Sequence, residues 1–307
     1  MSSLRFDGRV AVVTGAGRGI GAAHAGLLAA RGARVIVNDI GTSRFGTGTD
    51  DTPASELARQ IRRAGGAAEP DTADISTPDG ARALVEHAIS AFGRLDIVVN
   101  NAGIYWTDSF PAIELEDLLK QLAVHVGGSF NVTRAAWPHL RDSGAGRVVM
   151  TTSTGALGSG DLVSYGSAKA GVLGLGRALA LAGEPHGIRV NIVAPMAMTR
   201  MSKARVSESE VPDVPERDPA LVSPLVAVLC HVDCPVNGEA FMSGMRRTSR
   251  LFIAETEGYT HPSLGLTPED LLEHWGEIND ASRHELAPDL RTWAASNDQR
   301  IAAASVD

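Results

Sequence analysis

Basic residues are in deficit. Lysine and arginine number 28 against 36 aspartates and glutamates, a net charge of −8 at pH 7 with histidine neutral. A chain of that sign lacks the basic surface that a phosphate backbone requires, which argues against nucleic acid as a partner. Cysteine is scarce: two residues in 307 give no disulfide framework. No long uncharged apolar run is present, so no membrane span is expected. The stretch Met1–Arg9 lacks the apolar segment of a secretion signal. Together these deficits make a cytoplasmic enzyme the default expectation. The rest of the composition is that of a globular protein, 44% hydrophobic and 21% charged, with 33 glycines concentrated in loops and in one helix. The length allows one large α/β domain or two small ones.

Short β-branched runs alternate with helical stretches through the first two thirds of the chain. Strands are predicted at Val10–Val13, Arg34–Val37, Ala67–Ala73, Leu95–Val99, Arg147–Met150 and Arg189–Val193. Helices are predicted at Ile20–Ala30, Ser55–Ala64, Pro78–Phe92, Leu115–Leu140 and Ser164–Ala182. The strand runs are continuously apolar rather than alternating, the pattern of parallel strands buried on both faces. Such alternation implies right-handed crossovers and a doubly wound sheet. Gly41–Pro53 reads as an unusually long loop, and Ser202–Arg217 as a polar flap after a strand end. Near the C-terminus Thr267–Ile278 reads as a helix, with Thr267 as its cap before Pro268 and Glu269. We expect a catalytic domain over residues 1–250 and a C-terminal extension, 251–307, packed on the same domain.

The run Thr14-Gly15-Ala16-Gly17-Arg18-Gly19-Ile20-Gly21 follows the first strand and opens the first helix. Glycines let the backbone approach a pyrophosphate, and the helix N-terminus favours its negative charge. Asp39 ends the second strand, 24 residues after Gly15. A carboxylate there accepts hydrogen bonds from the adenosine ribose hydroxyls and repels the extra phosphate of NADP. Arg18 is the counter-signal, since it could meet that phosphate. Asp39 outweighs it, and NAD is the expected cofactor. Further on, Tyr165 and Lys169 stand at i and i+4 near a helix start, on one face. An ordinary tyrosine pKa of about 10 is too high for a base at neutral pH, and a nearby ammonium lowers it.

Thr14–Gly21, Asn100-Asn101-Ala102-Gly103, Ser153, Tyr165, Lys169 and Val190-Asn191-Ile192-Val193-Ala194-Pro195 occur in an order and spacing that resembles the short-chain dehydrogenases/reductases. That resemblance, from about Phe6 to Gly244, implies one Rossmann-type domain with a seven-stranded parallel sheet and helices on both faces. It implies Tyr165 as acid/base, Lys169 on the nicotinamide ribose and tuning Tyr165, and Ser153 on the substrate oxygen. Asn101, Ala102, Gly103 and Pro195 would line the cofactor cleft, Asp74 and Ile75 would meet the adenine, and Thr199 the nicotinamide carboxamide. Departures from the family pattern are visible. Ser153 lies 12 residues before Tyr165 where 13 is usual; Thr152 has the usual spacing. Ser153 is favoured because it ends the run Met150-Thr151-Thr152-Ser153. His125 stands where the family has an asparagine that helps hold a water in a proton relay from the lysine. It either takes that role, with a pKa that matters near neutrality, or packs beside the site. Met196 replaces the glycine usual after Pro195.

Val124–Phe130, Thr133–Trp137, Val37–Gly41, Ala194–Met201, Pro224–Val226, Leu229–His231, Asn237–Glu239 and the helix from Thr267 through Trp275 carry the resemblance further. They are similar to the dehydrogenase part of peroxisomal multifunctional enzyme type 2, a (3R)-hydroxyacyl-CoA dehydrogenase. The implied reaction is NAD-dependent oxidation of a (3R)-3-hydroxyacyl-CoA to the 3-oxoacyl-CoA in lipid metabolism. A hydroxysteroid or other secondary-alcohol dehydrogenase would share every catalytic residue, and fold alone does not fix function. A non-catalytic NAD-binding protein would keep the glycine loop but not the Tyr165–Lys169 pair. Arg200, Lys203 and Arg205 on the flap either meet CoA phosphates or are ordinary solvated residues. Cys230, His231 and Cys234 lack an evident fourth ligand, so no metal site is expected. The family resemblance implies a homodimer or homotetramer paired through the helices containing Leu115–Leu140 and Ser164–Ala182. The second is rich in small residues that permit close approach.

Overall fold

The computed structural model describes residues 3–198 and 215–304. Its chain divides into two units, Met1–Arg250 and Leu251–Asp307.

The first unit is built on a sheet whose strands are β1 Val10–Thr14, β2 Arg34–Asn38, β3 Ala67–Asp71, β4 Ile97–Asn100, β5 Arg147–Thr151, β6 Arg189–Met196, β7 Ala240–Gly244 and β8 Arg247–Leu251. They lie in the order β3-β2-β1-β4-β5-β6-β7-β8. Strands β1 to β7 pair in parallel, with Val12 of β1 facing Ile36 of β2 on one side and Val98 of β4 on the other. All three side chains are fully buried, as the continuous apolar runs predict. Each contributes about 1.5–3 kcal/mol by leaving water. The Rossmann-type, doubly wound expectation holds, with one strand more than the seven anticipated. That strand, β8, folds back antiparallel on β7. Met245 and Arg246 join the two with φ of 51° and 59°, the positive pair a two-residue hairpin turn requires. Neither is glycine, so the turn carries no sequence signal.

Flanking helices are α1 Gly19–Ala30, α2 Thr52–Arg63, α3 Pro78–Phe92, α4 Leu115–Leu122, α5 Ser129–Asp142, α6 Val163–Gly183 and α7 Ser223–Cys230. The long helical stretch from Leu115 is not one regular helix. A π-helical turn, Ala123–Gly128, separates α4 from α5. The hydroxyl of Ser129, the first residue of α5, donates back to the His125 carbonyl of this turn at 2.7 Å. Such wide turns re-aim a side chain and recur at functional sites; here the re-aimed side chain is His125. Helical periodicity alone does not distinguish a π turn from a continuous α-helix.

In the second unit Thr267 and Asp270 cap each other at the start of the helix Pro268–Glu273. The helix expected to run on to Ile278 breaks at His274, whose ring stacks on Tyr259 with centroids 3.8 Å apart, and resumes as Trp275–Ile278. A two-stranded antiparallel ribbon, Glu255–Thr256 with His284–Glu285, and a helix Leu290–Ala304 complete this unit. Among the described residues no helix is long and apolar enough to cross a membrane, and no three potential ligands from His, Cys, Asp and Glu gather around a metal position.

Candidate active site

Strand order reverses at β1, which sends β2 and β3 to one side and β4 onward to the other. The crevice beyond the carboxyl ends of β1 and β4 is where doubly wound sheets place ligands. The glycine loop leaves β1 at that point. Gly15 has φ +60°, and a Cβ there would lie 2.7 Å from the Ala102 Cα. A Cβ on Gly17 would lie 2.6 Å from the Pro53 Cβ and 2.9 Å from the Asp39 Oδ2. The loop is therefore wedged between the end of β4 and the residues after β2, with no room for a side chain at Gly15 or Gly17.

Asn101 ties the two strand ends together. Its side-chain amide donates to the carbonyls of Thr14 and Gly15 at 2.9 and 3.0 Å. The Thr14 hydroxyl in turn accepts from the amides of Asn101 and Ala102 at 3.0 and 3.1 Å. Asn101 thus shapes the cleft by holding the glycine loop. Helix α1 begins without a side-chain cap and has no acidic residue in its first turn. Its first N–H groups remain open to an anion from outside the helix. Helix α3, by contrast, is capped by the Thr77 hydroxyl and carries Asp79 in its first turn.

At the end of β2 the Asp39 carboxylate accepts from the Gly17 amide at 2.9 Å and the Gly41 amide at 2.8 Å. Each oxygen keeps a lone pair for a further donor. Arg18 lies 3.5 Å from the Asp50 carboxylate, both half-exposed. Such a pair is worth at most about 1 kcal/mol, but it draws the guanidinium toward a carboxylate of its own chain. The long loop after Asp39 does not extend into solvent. The Tyr105 amide donates to the Arg44 carbonyl at 2.8 Å, and Lys120 Nζ donates to the Phe45 carbonyl at 2.7 Å. Starting beside β2 and docking on the segment after β4, the loop crosses the end of β1. At the end of β3, Asp74 Oδ1 accepts from the amide and hydroxyl of Ser76 at 2.9 and 2.7 Å. Ile75 is buried beside it, and its carbonyl accepts from the Asn131 side chain at 3.3 Å.

Helix α6 and the end of β5 bring the polar residues together. Lys169 is buried, and its Nζ donates to the Thr151 carbonyl at 2.8 Å while lying 5.7 Å from the centroid of the Tyr165 ring. Burial pulls the Lys169 ammonium down to about 7. Burial pushes the Tyr165 phenol up to about 12, opposed by a hydrogen bond with Ser153 and reinforced by Tyr105. The lowering of Tyr165 expected from Lys169 does not appear here. The ammonium is bonded to a carbonyl and stands over the ring, and desolvation outweighs it.

The two hydroxyl candidates have different partners. Thr152 is buried, with its hydroxyl donating to the Lys169 carbonyl at 2.6 Å. The Ser153 hydroxyl accepts from the Gly155 amide at 3.1 Å and stands close enough to Tyr165 to lower its pKa.

His125 packs edge-on against Tyr165, with centroids 5.5 Å apart. A Cβ on Gly103 would lie 2.5 Å from its Cε1, so only glycine fits beside the ring. Its Nε2 lies 2.9 Å from the Ile104 carbonyl, 3.0 Å from Gln121 Oε1 and 3.4 Å from the Ile104 amide, so the ring is held on this side by three polar groups. Its buried Nδ1 has no hydrogen-bond partner among the described residues. Burial, with the charge of Lys169, holds its pKa well below the ordinary histidine value. His125 is therefore neutral across the physiological range rather than a titrating group near pH 7.

Pro195 lies half-buried near the end of β6. Thr199, Arg200, Lys203, Arg205 and the flap up to residue 214 lie outside the described residues. Cys230 and Cys234 are buried free thiols, and Cys234 donates to the Val236 carbonyl at 3.4 Å. Sequence patterning did not single out Asp108, Gln121 or Tyr105. The Tyr105 ring meets Tyr165 edge-on at 5.0 Å. Gln121 stood four residues before His125, a spacing that could have flagged it; Asp108 and Tyr105 reach their partners only through the fold.

Residues 9–210 match the short chain dehydrogenase family. The chain belongs to that family. Family membership makes it an oxidoreductase acting on CH–OH groups with a nicotinamide cofactor, NAD or NADP. Among its relatives, peroxisomal multifunctional enzyme type 2 of Mus musculus is 41% identical over 284 residues, 92% of this chain and 38% of that protein. A short-chain type dehydrogenase/reductase of Mycobacterium tuberculosis is 39% identical over 284 residues, 91% of this chain and 96% of the relative. Among solved structures, full-length peroxisomal multifunctional enzyme type 2 of Drosophila melanogaster superposes with a TM-score of 0.81 at 30% identity, covering 98% of this chain and 50% of that one. This dehydrogenase thus spans half or less of the two multifunctional enzymes. Their names also correct the cytoplasmic expectation: both are peroxisomal. That expectation rested on missing signals in the composition, which do not identify a compartment.

Proposed function

We propose that this short-chain dehydrogenase oxidises a (3R)-3-hydroxyacyl-CoA to the 3-oxoacyl-CoA, with NAD as cofactor. The observation that carries the chemistry is the meeting of Tyr165, Ser153 and Lys169 beside the β1–β4 crevice. The substrate rests on the likeness to multifunctional enzyme type 2, which extends over nine tenths of the chain, well past the cofactor motifs.

A dinucleotide fits the residues present. The uncapped first turn of α1 and the closely packed glycines Gly15, Gly17 and Gly21 suit a pyrophosphate. Asp39 would accept the ribose hydroxyls, Asp74 and Ile75 would flank the adenine, and Gly103 and Pro195 would border the nicotinamide end. When bound, the nicotinamide supplies the hydride acceptor.

The rest of the chemistry belongs to side chains of the chain. Ser153 donates to the substrate oxygen, and Tyr165 takes the hydroxyl proton. In the ligand-free protein the phenol holds its proton at neutral pH. It therefore acts as an acid toward a ketone, and as a base only once positive charge is brought close or its surroundings change. Lys169, held by the Thr151 carbonyl, is the residue of this site whose protonation changes near pH 7. Asp39 favours NAD, and Arg18 is drawn aside by Asp50 rather than left for a 2′-phosphate. The active species is a homodimer or homotetramer; a monomer in light scattering would refute this.

The deciding experiment measures reduction of NAD and of NADP with acyl-CoA, steroid and simple secondary-alcohol panels. Both enantiomers of each 3-hydroxyacyl-CoA are included. Turnover of the (3R) thioesters with NAD is expected. Preference for steroids, or for the (3S) series, would overturn the substrate assignment.

A further inference from the structure

Helix α6 carries both Tyr165 and Lys169 in its first two turns, yet its own N-cap residue, Leu162, contributes no side-chain cap, and its first turn has no acidic residue. Helix starts expose N–H groups that need an acceptor. The acceptor comes from a distant segment. Asp108, on the stretch between β4 and α4, accepts from the Val163 amide at 2.8 Å through Oδ1 and from the Ser164 amide at 3.1 Å through Oδ2. The buried Ser164 hydroxyl also donates to Oδ2. The Asp108 amide donates to the Asp161 carbonyl at 3.0 Å, which pins the same segment to the approach to the helix. Tyr105, three residues earlier, sets its ring edge-on against Tyr165.

We propose that Asp108 is a positioning residue for the reaction: its carboxylate caps α6 from outside and thereby fixes the turn that presents Tyr165 to Ser153. This rests on Tyr165 being the acid/base group. Tyr165 follows Ser164 directly, so fraying of the first turn moves the phenol before it disturbs any strand. Three hydrogen bonds to one carboxylate hold that turn, and one missing cap is known to cost a helix measurable stability. The groups facing Tyr165 are Lys169 on its own helix, His125 on the π turn, Tyr105 on the capping segment and Ser153 after β5. Of these and Asp108, the carboxylate alone is negative. It offsets the partial positive charge of the helix start.

Asp108→Asn keeps the size and one acceptor; Asp108→Ala removes the cap. Each is compared with the unaltered enzyme and with Tyr165→Phe, for turnover in alcohol oxidation, NADH affinity by fluorescence titration and melting temperature. Loss of turnover in Tyr165→Phe shows that the acid/base assignment stands; retained turnover there would sink that assignment whatever Asp108 does. For Asp108→Asn, kcat is expected to fall at least about tenfold with NADH affinity within about twofold, because misplacement of a reacting group is costly while the glycine loop is untouched. Asp108→Ala loses more than Asp108→Asn. The proposal is overturned if kcat of Asp108→Asn stays within about threefold, or if NADH binding falls in step with turnover, as for a residue that only stabilises the fold.

Discussion

Thr152 and Ser153 are adjacent hydroxyl residues with opposite commitments, and replacing each in turn separates chemistry from folding. The Thr152 hydroxyl is buried and donates to the Lys169 carbonyl at 2.6 Å. Thr152→Val keeps the shape and removes that bond. One buried neutral hydrogen bond is worth about 0.5–1.5 kcal/mol net. At roughly 2–4 °C per kcal/mol for a chain of this size class, the melting temperature falls by about 1–6 °C. Turnover of the folded protein changes by less than about threefold, because Thr152 has no bond to the phenol. The Ser153 hydroxyl faces Tyr165 and lowers its pKa. Ser153→Ala leaves the fold nearly as stable, since the lost bond is at a half-buried cleft. It removes a donor aimed at the reacting oxygen, and deletions of that kind cost about 10²–10³ in kcat. The assay is steady-state reduction of NAD beside thermal unfolding of the same samples. If Ser153→Ala turns over near normally, or if Thr152→Val loses more than about a hundredfold at an unchanged melting temperature, the assignment of the hydroxyl is wrong.

Three further outcomes follow from the geometry. Lys169 has a folded pKa of about 7 against an ordinary value of 10.5, so between these values the unfolded chain binds the proton and the folded one does not. Stability then rises with pH across that window and is lost as pH falls, by an amount on the order of a few kcal/mol; the melting temperature of the wild type minus that of Lys169→Met should grow from pH 7 to pH 9, and a constant difference would refute it. Gly17→Val sets a Cβ 2.6 Å from the Pro53 Cβ and 2.9 Å from the Asp39 Oδ2; overpacking of about 1–3 kcal/mol and loss of NADH binding by about a hundredfold or more are expected in fluorescence titration, and retained affinity would show that the loop does not cradle the cofactor. Asp39→Ala removes the carboxylate that excludes a 2′-phosphate, so the ratio of NADPH to NADH dissociation constants should fall by at least about tenfold; an unchanged ratio would place the discrimination elsewhere.

Local patterns in the chain determined the sheet and its direction. Continuous apolar runs such as Val10–Val13 can satisfy themselves only as strands covered on both faces, and the helices between them force parallel crossovers. The glycine loop, Asp39, and the i, i+4 pair of Tyr165 and Lys169 were legible for the same reason: each is a short-range requirement written in adjacent residues. Tertiary structure decided what depends on contacts between distant residues. The π turn that aims His125 at Tyr165, the neutral state of that histidine, and the antiparallel β8 behind a turn without glycine have no local signature. The direction of the Tyr165 pKa was also decided there, because the spacing to Lys169 shows that two groups share a helix face but not that desolvation exceeds their attraction. Asp108 lies 55 residues from the amide of Val163 that it caps. A hydrogen bond needs its partners within about 3 Å, and only the folded chain brings β4's following segment to the start of α6.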